Sequence, residues 1–261
     1  MGNEVVYCSC SILLLLLLVK VGGEVSSNNG VSMEQGQVIP WIKAYSLIKD
    51  LDVGNTWPFY FSPIQDPTSL EFFPEDQIRD IPFSSEALPQ LLRFFSFSPD
   101  SRQAMAMKQT LEFCESEPVV GEVSLCATSF ESLLDFARHV FGSDRVTILR
   151  SPLLSDSTPL VQNYTVLESK EIWTGKMIPC HYQPYPYAVY HCHFELVSGN
   201  KAFIVSLRGE NGDTVTPVFI CHVNTSSWDA NYVGLRALGR KPGESELCHL
   251  LPAKDQLLLP K

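Results

Sequence analysis

The chain of 261 residues carries little positive charge: 19 lysines and arginines stand against 29 aspartates and glutamates, for a formal net charge of −10. The basic residues are scattered and form no stripe that could follow a phosphate backbone. Nucleic acid is therefore not an expected partner. The apolar content of 45% is ordinary for a globular protein, and the length allows one large domain or two small ones.

A long apolar run is also missing. Residues 12–19 (ILLLLLLV) are too few to span a bilayer, but they suit the core of a signal peptide, and Gly22-Gly23 supplies small residues for cleavage. The sequence predicts a signal peptide over 1–23 and no membrane span after cleavage. Because no Lys or Arg precedes the apolar run, an uncleaved anchor and a cytosolic start remain as alternatives.

Cysteine and histidine are scarce, with eight and six residues. Cys8 and Cys10 lie in the predicted signal peptide, so an even set of six cysteines remains in a chain bound for an oxidising compartment. Asn163 and Asn224 fit the N-glycosylation pattern Asn-X-Ser/Thr. These features together predict the secretory pathway.

The order of patterns along the chain predicts an α+β fold, with N-terminal helices followed by a largely antiparallel sheet. Residues 24–70 look like a short variable lead segment, 71–251 like the folded domain, and 252–261 like a C-terminal tail. Helical spacing occupies 84–142, where Thr128 and Glu131 predict a capping box, Gly142 a stop, and His139 a solvated residue. Strand patterns follow at 145–150, 187–197, 202–208 and 214–223, the last two joined across Asn211-Gly212.

The dipeptide Cys-His occurs four times in the strand-rich part and uses every cysteine after residue 126: Cys180-His181, Cys192-His193, Cys221-His222 and Cys248-His249. Neighbouring residues on a strand point to opposite faces, so one pair cannot easily give both side chains to one ion. In 189–195, for example, Cys192 shares a face with Tyr190, while His193 shares the other face with His191 and Glu195. The spacing predicts sulfur on one side and imidazole on the other.

For the sulfur atoms, the sequence favours disulfides over metal-bound thiolates because the compartment is oxidising. Four cysteines of the Cys-His pairs could form two disulfides, and Cys114 with Cys126 could close a third loop. Each disulfide would stabilise the fold by roughly 2–4 kcal/mol. Six cysteines allow 15 pairings, so the connectivity stays open at this point.

For the imidazoles, the sequence predicts a metal site at which His181, His193, His222 and His249 converge. Nitrogen ligands suit copper or zinc, and open or square-planar geometry favours copper. His191 is a candidate extra ligand, while the alternative for each histidine is an ordinary polar residue. A structural zinc finger fits less well because C-x2-C and H-x3-H spacings are missing. A Cys-His protease fits less well because an even cysteine set leaves no spare nucleophile.

The aromatic run Tyr182-Gln-Pro-Tyr185-Pro-Tyr187-Ala-Val-Tyr190 predicts packing of the sheet edge. The less favoured alternative is a role in holding a substrate near the metal.

The order Phe72-Phe73, Cys114, Cys126 and then CH-x10-CH-x27-CH-x25-CH resembles the plant BURP domain, as does the segment YPYAVYHCH at 185–193. The resemblance covers about residues 71–251. The short lead segment without repeats is similar to the unknown-seed-protein-like subgroup.

The resemblance implies copper on the four histidines and disulfides between the six cysteines. Some members of the family are copper-dependent peptide cyclases that oxidatively join a Tyr or Trp side chain to a core peptide. Others are known only as seed, pollen-coat, cell-wall or stress-associated proteins. For this chain we expect the second kind of role, in the cell wall or a protein storage vacuole, with a cell-wall component or a Tyr/Trp-containing peptide as partner. The cyclase is the alternative.

Two features depart from the cyclase precursors. The chain has no repeated core peptide, and its only candidate is the segment from Gln37 to Tyr45, which reads more simply as part of an irregular lead segment. His191 stands where the family more often has an aromatic residue.

Overall fold

The computed structural model describes residues 45–61, 71–118, 121–152, 161–196 and 199–261. The predicted signal peptide, Cys8, Cys10 and most of the lead segment lie outside these residues. No helix in the described ranges is long and apolar enough to cross a membrane.

Two antiparallel sheets form the frame of the described chain. Sheet A has the strand order β1 (Tyr45–Ser46), β11 (Leu247–Leu250), β10 (Val218–His222), β8 (Lys201–Gly209), β5 (Val161–Thr174) and β2 (Thr56–Tyr60), with β9 (Thr214–Val215) also paired to β8. Sheet B has the order β3 (Glu122–Ala127), β7 (Val189–Glu195), β6 (Ile178–Gln183), β12 (Gln256–Pro260) and β4 (Val146–Leu149). The predicted α+β class with mostly antiparallel strands is confirmed.

The described helices are α1 (Glu75–Ile78), α2 (Leu88–Phe94), α3 (Arg102–Glu115), α4 (Phe130–Phe141) and α5 (Val233–Leu238). The predicted order of helices first and sheet afterwards does not hold, because β1 and β2 precede the helices and β3 separates α3 from α4. Helix α4 ends at Gly142 in the left-handed conformation, as predicted, and His139 is exposed.

The predicted capping box of α4 is wrong by one position. The helix begins at Phe130, so Ser129 is its N-cap, and the Ser129 hydroxyl accepts a hydrogen bond from the backbone N–H of Ser132. Thr128 and Glu131 have the right spacing for a capping box but lie one residue too early.

Each sheet buries one face against other elements and the remaining face against the other sheet. Leu133, Phe136 and Val140 of α4 pack on the outer face of sheet B together with Tyr190 and Cys192. Helices α2 and α3 cover the neighbouring segment around Tyr185 and Tyr187. Between the sheets lies an apolar layer of Met177, Ala202, Val218, Ile220, Leu251, Leu257 and Leu259.

Residues 45–61, which the sequence analysis assigned to the lead segment, contain strands β1 and β2 of sheet A and a short 3-10 helix at Ile48–Leu51. Trp57, Phe59 and Phe61 are buried and pack against Tyr164 and Phe219 on the outer face of that sheet. The prolines of this region concealed its alternating aromatic pattern. Pro58 is tolerated because β2 is an edge strand.

Candidate metal centre

The cysteines of the four Cys-His pairs form two disulfides between adjacent strands. Cys180 lies directly opposite Cys192 on β6 and β7, and Cys221 lies directly opposite Cys248 on β10 and β11. Both pairs are bonded and fully buried. A third disulfide, Cys114–Cys126, ties α3 to β3. The predicted disulfides are confirmed, and the connectivity that the sequence left open is settled.

The histidines follow the cysteines and therefore lie on the opposite faces of the strands, towards the space between the sheets. His222 shares its face of β10 with Ile220, which belongs to the layer between the sheets. Sheet B contributes His181 and His193, and sheet A contributes His222 and His249. Alternation along four strands thus produces the predicted separation of sulfur from imidazole.

The four imidazoles form a ring of neighbours. Ring centroids are 5.4 Å apart for His181–His193 and for His222–His249, 6.1 Å for His181–His249, and 6.4 Å for His193–His222. Within the two pairs, the Nε2 atoms of His181 and His193 are 3.3 Å apart and those of His222 and His249 are 3.2 Å apart. Among the described residues, no three His, Cys, Asp or Glu side chains already converge as a complete ligand set. The nitrogens are arranged as two pairs.

The Nδ1 atoms of these rings face oxygen acceptors. Asp255 Oδ2 is 2.7 Å from Nδ1 of His181, and Glu195 Oε1 is 2.9 Å from Nδ1 of His222. The carbonyl oxygen of Leu250 is 3.1 Å from Nδ1 of His249. Glu122 Oε1 is 3.3 Å from Nδ1 of His193, although that nitrogen makes no aligned hydrogen bond. An acceptor at Nδ1 fixes the proton there and leaves the lone pair on Nε2.

This arrangement has a consequence for the pair His222 and His249. Because both rings donate from Nδ1, their Nε2 lone pairs face each other at 3.2 Å. Burial and the neighbouring histidines hold the pKa of His249 well below its ordinary value, so a second proton is disfavoured on that ring. A cation between the two nitrogens would remove the repulsion. The donor set therefore fits a metal ion that prefers imidazole.

The carboxylates make the surroundings of the cluster negative. Burial acts to raise the pKa of Glu195, but hydrogen bonds from His222 and Asn200 outweigh it and hold the pKa below its ordinary value. Asp255 and Glu195 are both buried. Buried carboxylates that remain charged beside imidazoles stabilise positive charge in the cluster.

The remaining predicted site residues lie elsewhere. The ring centroid of His191 is 5.8 Å from that of His193 and 4.6 Å from that of Phe113. Burial lowers the pKa of His191 to about 3, so the ring is neutral. Asn163 donates from Nδ2 to Glu210 at 2.7 Å, while Asn224 is exposed and accepts hydrogen bonds from Ser226.

Aromatic side chains flank the cluster on the side of sheet A. Trp228 contacts the ring of His222 at 4.9 Å, and Tyr232 contacts Trp228 at 4.7 Å. Tyr45 pairs with His249 across β1 and β11, and its ring lies 6.2 Å from that of Tyr232. The aromatic run packs as predicted, since Tyr182, Tyr185, Tyr187 and Tyr190 are buried, but it does not lie at a sheet edge, because β6 and β7 are inner strands of sheet B.

Sequence reasoning missed the carboxylates that orient the histidines. Asp255 is 74 residues from His181, and Glu195 is 27 residues from His222, so no local pattern connects them. One signal was available: Glu195 shares a strand face with His193, which placed a carboxylate on the imidazole side of the sheet.

Comparison with known sequences agrees with this geometry. The sequence profile of the BURP domain matches residues 44–260, which is most of the chain. The chain belongs to the BURP domain family. The match begins before and ends after the span of 71–251 assigned from the sequence, and it includes β1, β2 and β12.

Several plant proteins are similar over most of this BURP chain. Protein RAFTIN 1A of Triticum aestivum is 36% identical over 228 residues, which are 87% of this chain and 58% of the relative. BURP domain-containing protein BNM2C of Brassica napus is 35% identical over 82% of this chain and 78% of the relative. BURP domain protein RD22 of Arabidopsis thaliana is 36% identical over 69% of this chain and 46% of the relative. The chain spans about half the length of several of these relatives.

Proposed function

We propose that this BURP-domain protein is a secreted plant protein that binds copper at His181, His193, His222 and His249, with a seed, cell-wall or stress-associated role and no reaction of its own. The supporting observation is that the Nε2 atoms meet in pairs at 3.2 and 3.3 Å while the Nδ1 atoms face oxygen acceptors. Two nitrogens bound to one ion at about 2.0 Å and near the tetrahedral angle are separated by about 3.3 Å. The spacing within each pair is therefore suitable for ligands of a shared ion.

The choice of copper rests on the donor set. All six described cysteines are in disulfides, so they do not offer the thiolates that structural zinc sites commonly use. A set of imidazoles alone suits copper or zinc, and the resemblance to copper-binding members of the family favours copper. Three disulfides also support an oxidising compartment, in agreement with the predicted signal peptide and the two acceptor sites for N-glycans.

Metal analysis of the secreted protein tests this proposal. The whole chain, expressed with its own N-terminal segment in a plant secretory host, should carry copper and contain no free thiols among the six described cysteines. His222→Ala should lose the copper, whereas His139→Ala, which changes an exposed histidine outside the cluster, should keep it. Protein that takes up neither copper nor zinc, with its disulfides intact, would overturn the proposal.

A second candidate function is an oxidative peptide cyclase, and the position of Tyr45 favours it. Strand β1 holds Tyr45, the last residue of the candidate core segment 37–45, opposite His249 of the cluster. Trp228 and Tyr232 form an aromatic wall next to the same histidines. Copper with molecular oxygen would supply the oxidation of a phenol or indole, and the coupling would remove two hydrogen atoms from the peptide while oxygen is reduced.

Mass spectrometry separates the two candidates. Copper-loaded protein incubated with oxygen and Tyr- or Trp-containing peptides, including the segment 37–45 within its own chain, should show a loss of two hydrogens if it is a cyclase. The loss should disappear in His222→Ala protein that still folds. An unchanged mass with copper verified in place would leave the non-catalytic role as the supported one.

A further inference from the structure

Asp255 and Glu195 each contact Nδ1 of one cluster histidine. Each carboxylate places one oxygen on the Nδ1 atom of a cluster histidine, at 2.7 Å for His181 and at 2.9 Å for His222. Both carboxylates are buried and both come from sheet B, Glu195 at the end of β7 and Asp255 directly before β12. The difference between them lies in what their second oxygen contacts.

The second oxygen of Asp255 is bound to the backbone. Oδ1 accepts a hydrogen bond from the N–H of Tyr182 at 3.0 Å, in a buried position on β6. A backbone N–H in a strand is always a donor and cannot be turned round. Both oxygens of Asp255 must therefore act as acceptors, Oδ1 for the Tyr182 N–H and Oδ2 for Nδ1 of His181.

The second oxygen of Glu195 is bound to a side-chain amide. Oε2 accepts a hydrogen bond from Nδ2 of Asn200 at 2.9 Å. The other end of that amide, Oδ1 of Asn200, is buried and has no hydrogen-bond partner among the described residues. An amide can rotate by half a turn and exchange its donor for its acceptor, so this partner is adaptable.

Replacing each acid by its amide should therefore have different effects. An asparagine at 255 has one oxygen, and the Tyr182 N–H requires it, so the NH2 group is left to face Nδ1 of His181. Two donors cannot share that contact, so His181 must move its proton to Nε2. A glutamine at 195 can keep its oxygen on His222 and offer its NH2 to a rotated Asn200.

We propose that Asp255 is a positioning residue that fixes His181 as the Nδ1–H tautomer, with the Nε2 lone pair facing the other cluster histidines, and that an amide cannot replace it. The proposal rests on the proposed function for the value of that lone pair to a metal. It adds that one carboxylate, Asp255, determines which nitrogen of His181 faces the cluster. It also distinguishes the role of Asp255 from that of Glu195.

The matched pair Asp255→Asn and Glu195→Gln tests the proposal, because both variants remove one negative charge next to the cluster. Nitrogen NMR of the metal-free whole chain at mildly alkaline pH reports which imidazole nitrogen holds the proton. We expect the proton of His181 to move to Nε2 in Asp255→Asn, while His222 keeps its Nδ1 proton in Glu195→Gln. Copper titration should show a loss of affinity of about 10–100-fold in Asp255→Asn. The loss in Glu195→Gln should be smaller.

Other outcomes would overturn the proposal. A wild-type spectrum in which His181 is unprotonated at Nδ1 would do so without any variant, and it decides the matter if Asp255→Asn does not fold. Equal loss of affinity in the two variants with unchanged tautomers would mean that charge alone acts. If the wild type binds no copper, the proposed function fails, but the NMR comparison still tests the role of Asp255.

Discussion

The strand pairs β6–β7 and β10–β11 contain the same chemical unit, and the cluster takes one pair of histidines from each. In both, two directly opposed cysteines form a buried disulfide, and the histidine after each cysteine points between the sheets. One difference between the two units lies directly opposite a cluster histidine. His191 lies opposite His181, whereas Leu247 lies opposite His222.

The two units also differ in their access to solvent. The side chains of His181 and His193 are 18% and 12% exposed, whereas that of His222 is 4% exposed and is covered by Trp228. Within the same local pattern, His222 is therefore more covered than His181 and His193, while His249 is half-buried. We therefore expect a small reagent to reach His181 and His193 more easily than His222.

Removing a disulfide should cause the largest loss of stability. The size of the loss should depend on the length of the loop that the disulfide closes. The bridge Cys221–Cys248 closes a loop with a sequence separation of 27, against 12 for Cys180–Cys192. Loop-closure entropy predicts losses of about 3.6 and about 2.8 kcal/mol in the free energy of unfolding. Denaturant unfolding of the double variants Cys221→Ser/Cys248→Ser and Cys180→Ser/Cys192→Ser measures both.

The third disulfide supplies the control for that comparison. Cys114–Cys126 also has a sequence separation of 12 but links a helix to a strand outside the cluster. Its double serine variant should lose about as much stability as the Cys180–Cys192 variant if loop entropy dominates. A clearly smaller loss for the Cys221–Cys248 variant than for the other two would contradict the prediction.

Replacing His191 by leucine, the residue type at the matching position of β11, should change the stability of the protein in acid. The folded-state pKa of His191 is about 3, below its ordinary value of 6.5, because the ring is buried beside His193 and His181. The unfolded chain therefore takes up this proton first, and the wild type loses stability as the pH falls below about 6.5 towards about 3. Metal-free His191→Leu should lack this loss, which amounts to at most ~2 kcal/mol at pH 5.

The measurement is the free energy of unfolding as a function of pH, with His139→Leu as the exposed control. His191→Leu should flatten the curve between neutral and acidic pH, whereas His139→Leu should leave its shape unchanged. Identical slopes for wild type and His191→Leu would show that the buried ring does not carry the penalty. Unchanged copper binding in His191→Leu would also show that His191 is not an extra ligand.

Chemical modification should show the smallest effect, a several-fold difference in reaction rate between His222 and the histidines of β6 and β7. Diethyl pyrocarbonate acylates accessible neutral imidazoles, so in the metal-free protein we expect His181 and His193 to react before His222. Exposed His139 should react first. Peptide mass spectrometry follows each site. Modification of His222 ahead of His181 would contradict the expectation that His181 is the more accessible of the two.

The local part of the site could be predicted from the sequence. Cys192 and His193 had to lie on opposite faces because a strand has a period of two residues, and the Asn211-Gly212 turn had to favour a hairpin. Both hold in the structure, where β8 pairs with β9 across that turn and Gly212 has a positive φ of 89°. The end of α4 at Gly142 was also predictable from local sequence, because glycine readily adopts the left-handed conformation that ends a helix.

The long-range part could not be predicted in this way. Strand β5 runs for 14 residues, but its burial alternates only in its first half, so its periodic signal was weak. Asp255 was placed in a tail, yet it reaches His181 because β12 pairs with β6. Trp57 and Phe59 were placed in the lead segment because local composition does not reveal which strand a segment will join.

The location of the four histidines between two sheets determines when the centre can exist. Residues 181 and 249 must come together from separate strand pairs, so a partly folded chain offers two rings at most. An ion bound by all four histidines would therefore have to be taken up after the two sheets have come together. An ion held by both sheets would then tie them together, and the free energy of unfolding would rise with the logarithm of the ion's concentration relative to its dissociation constant.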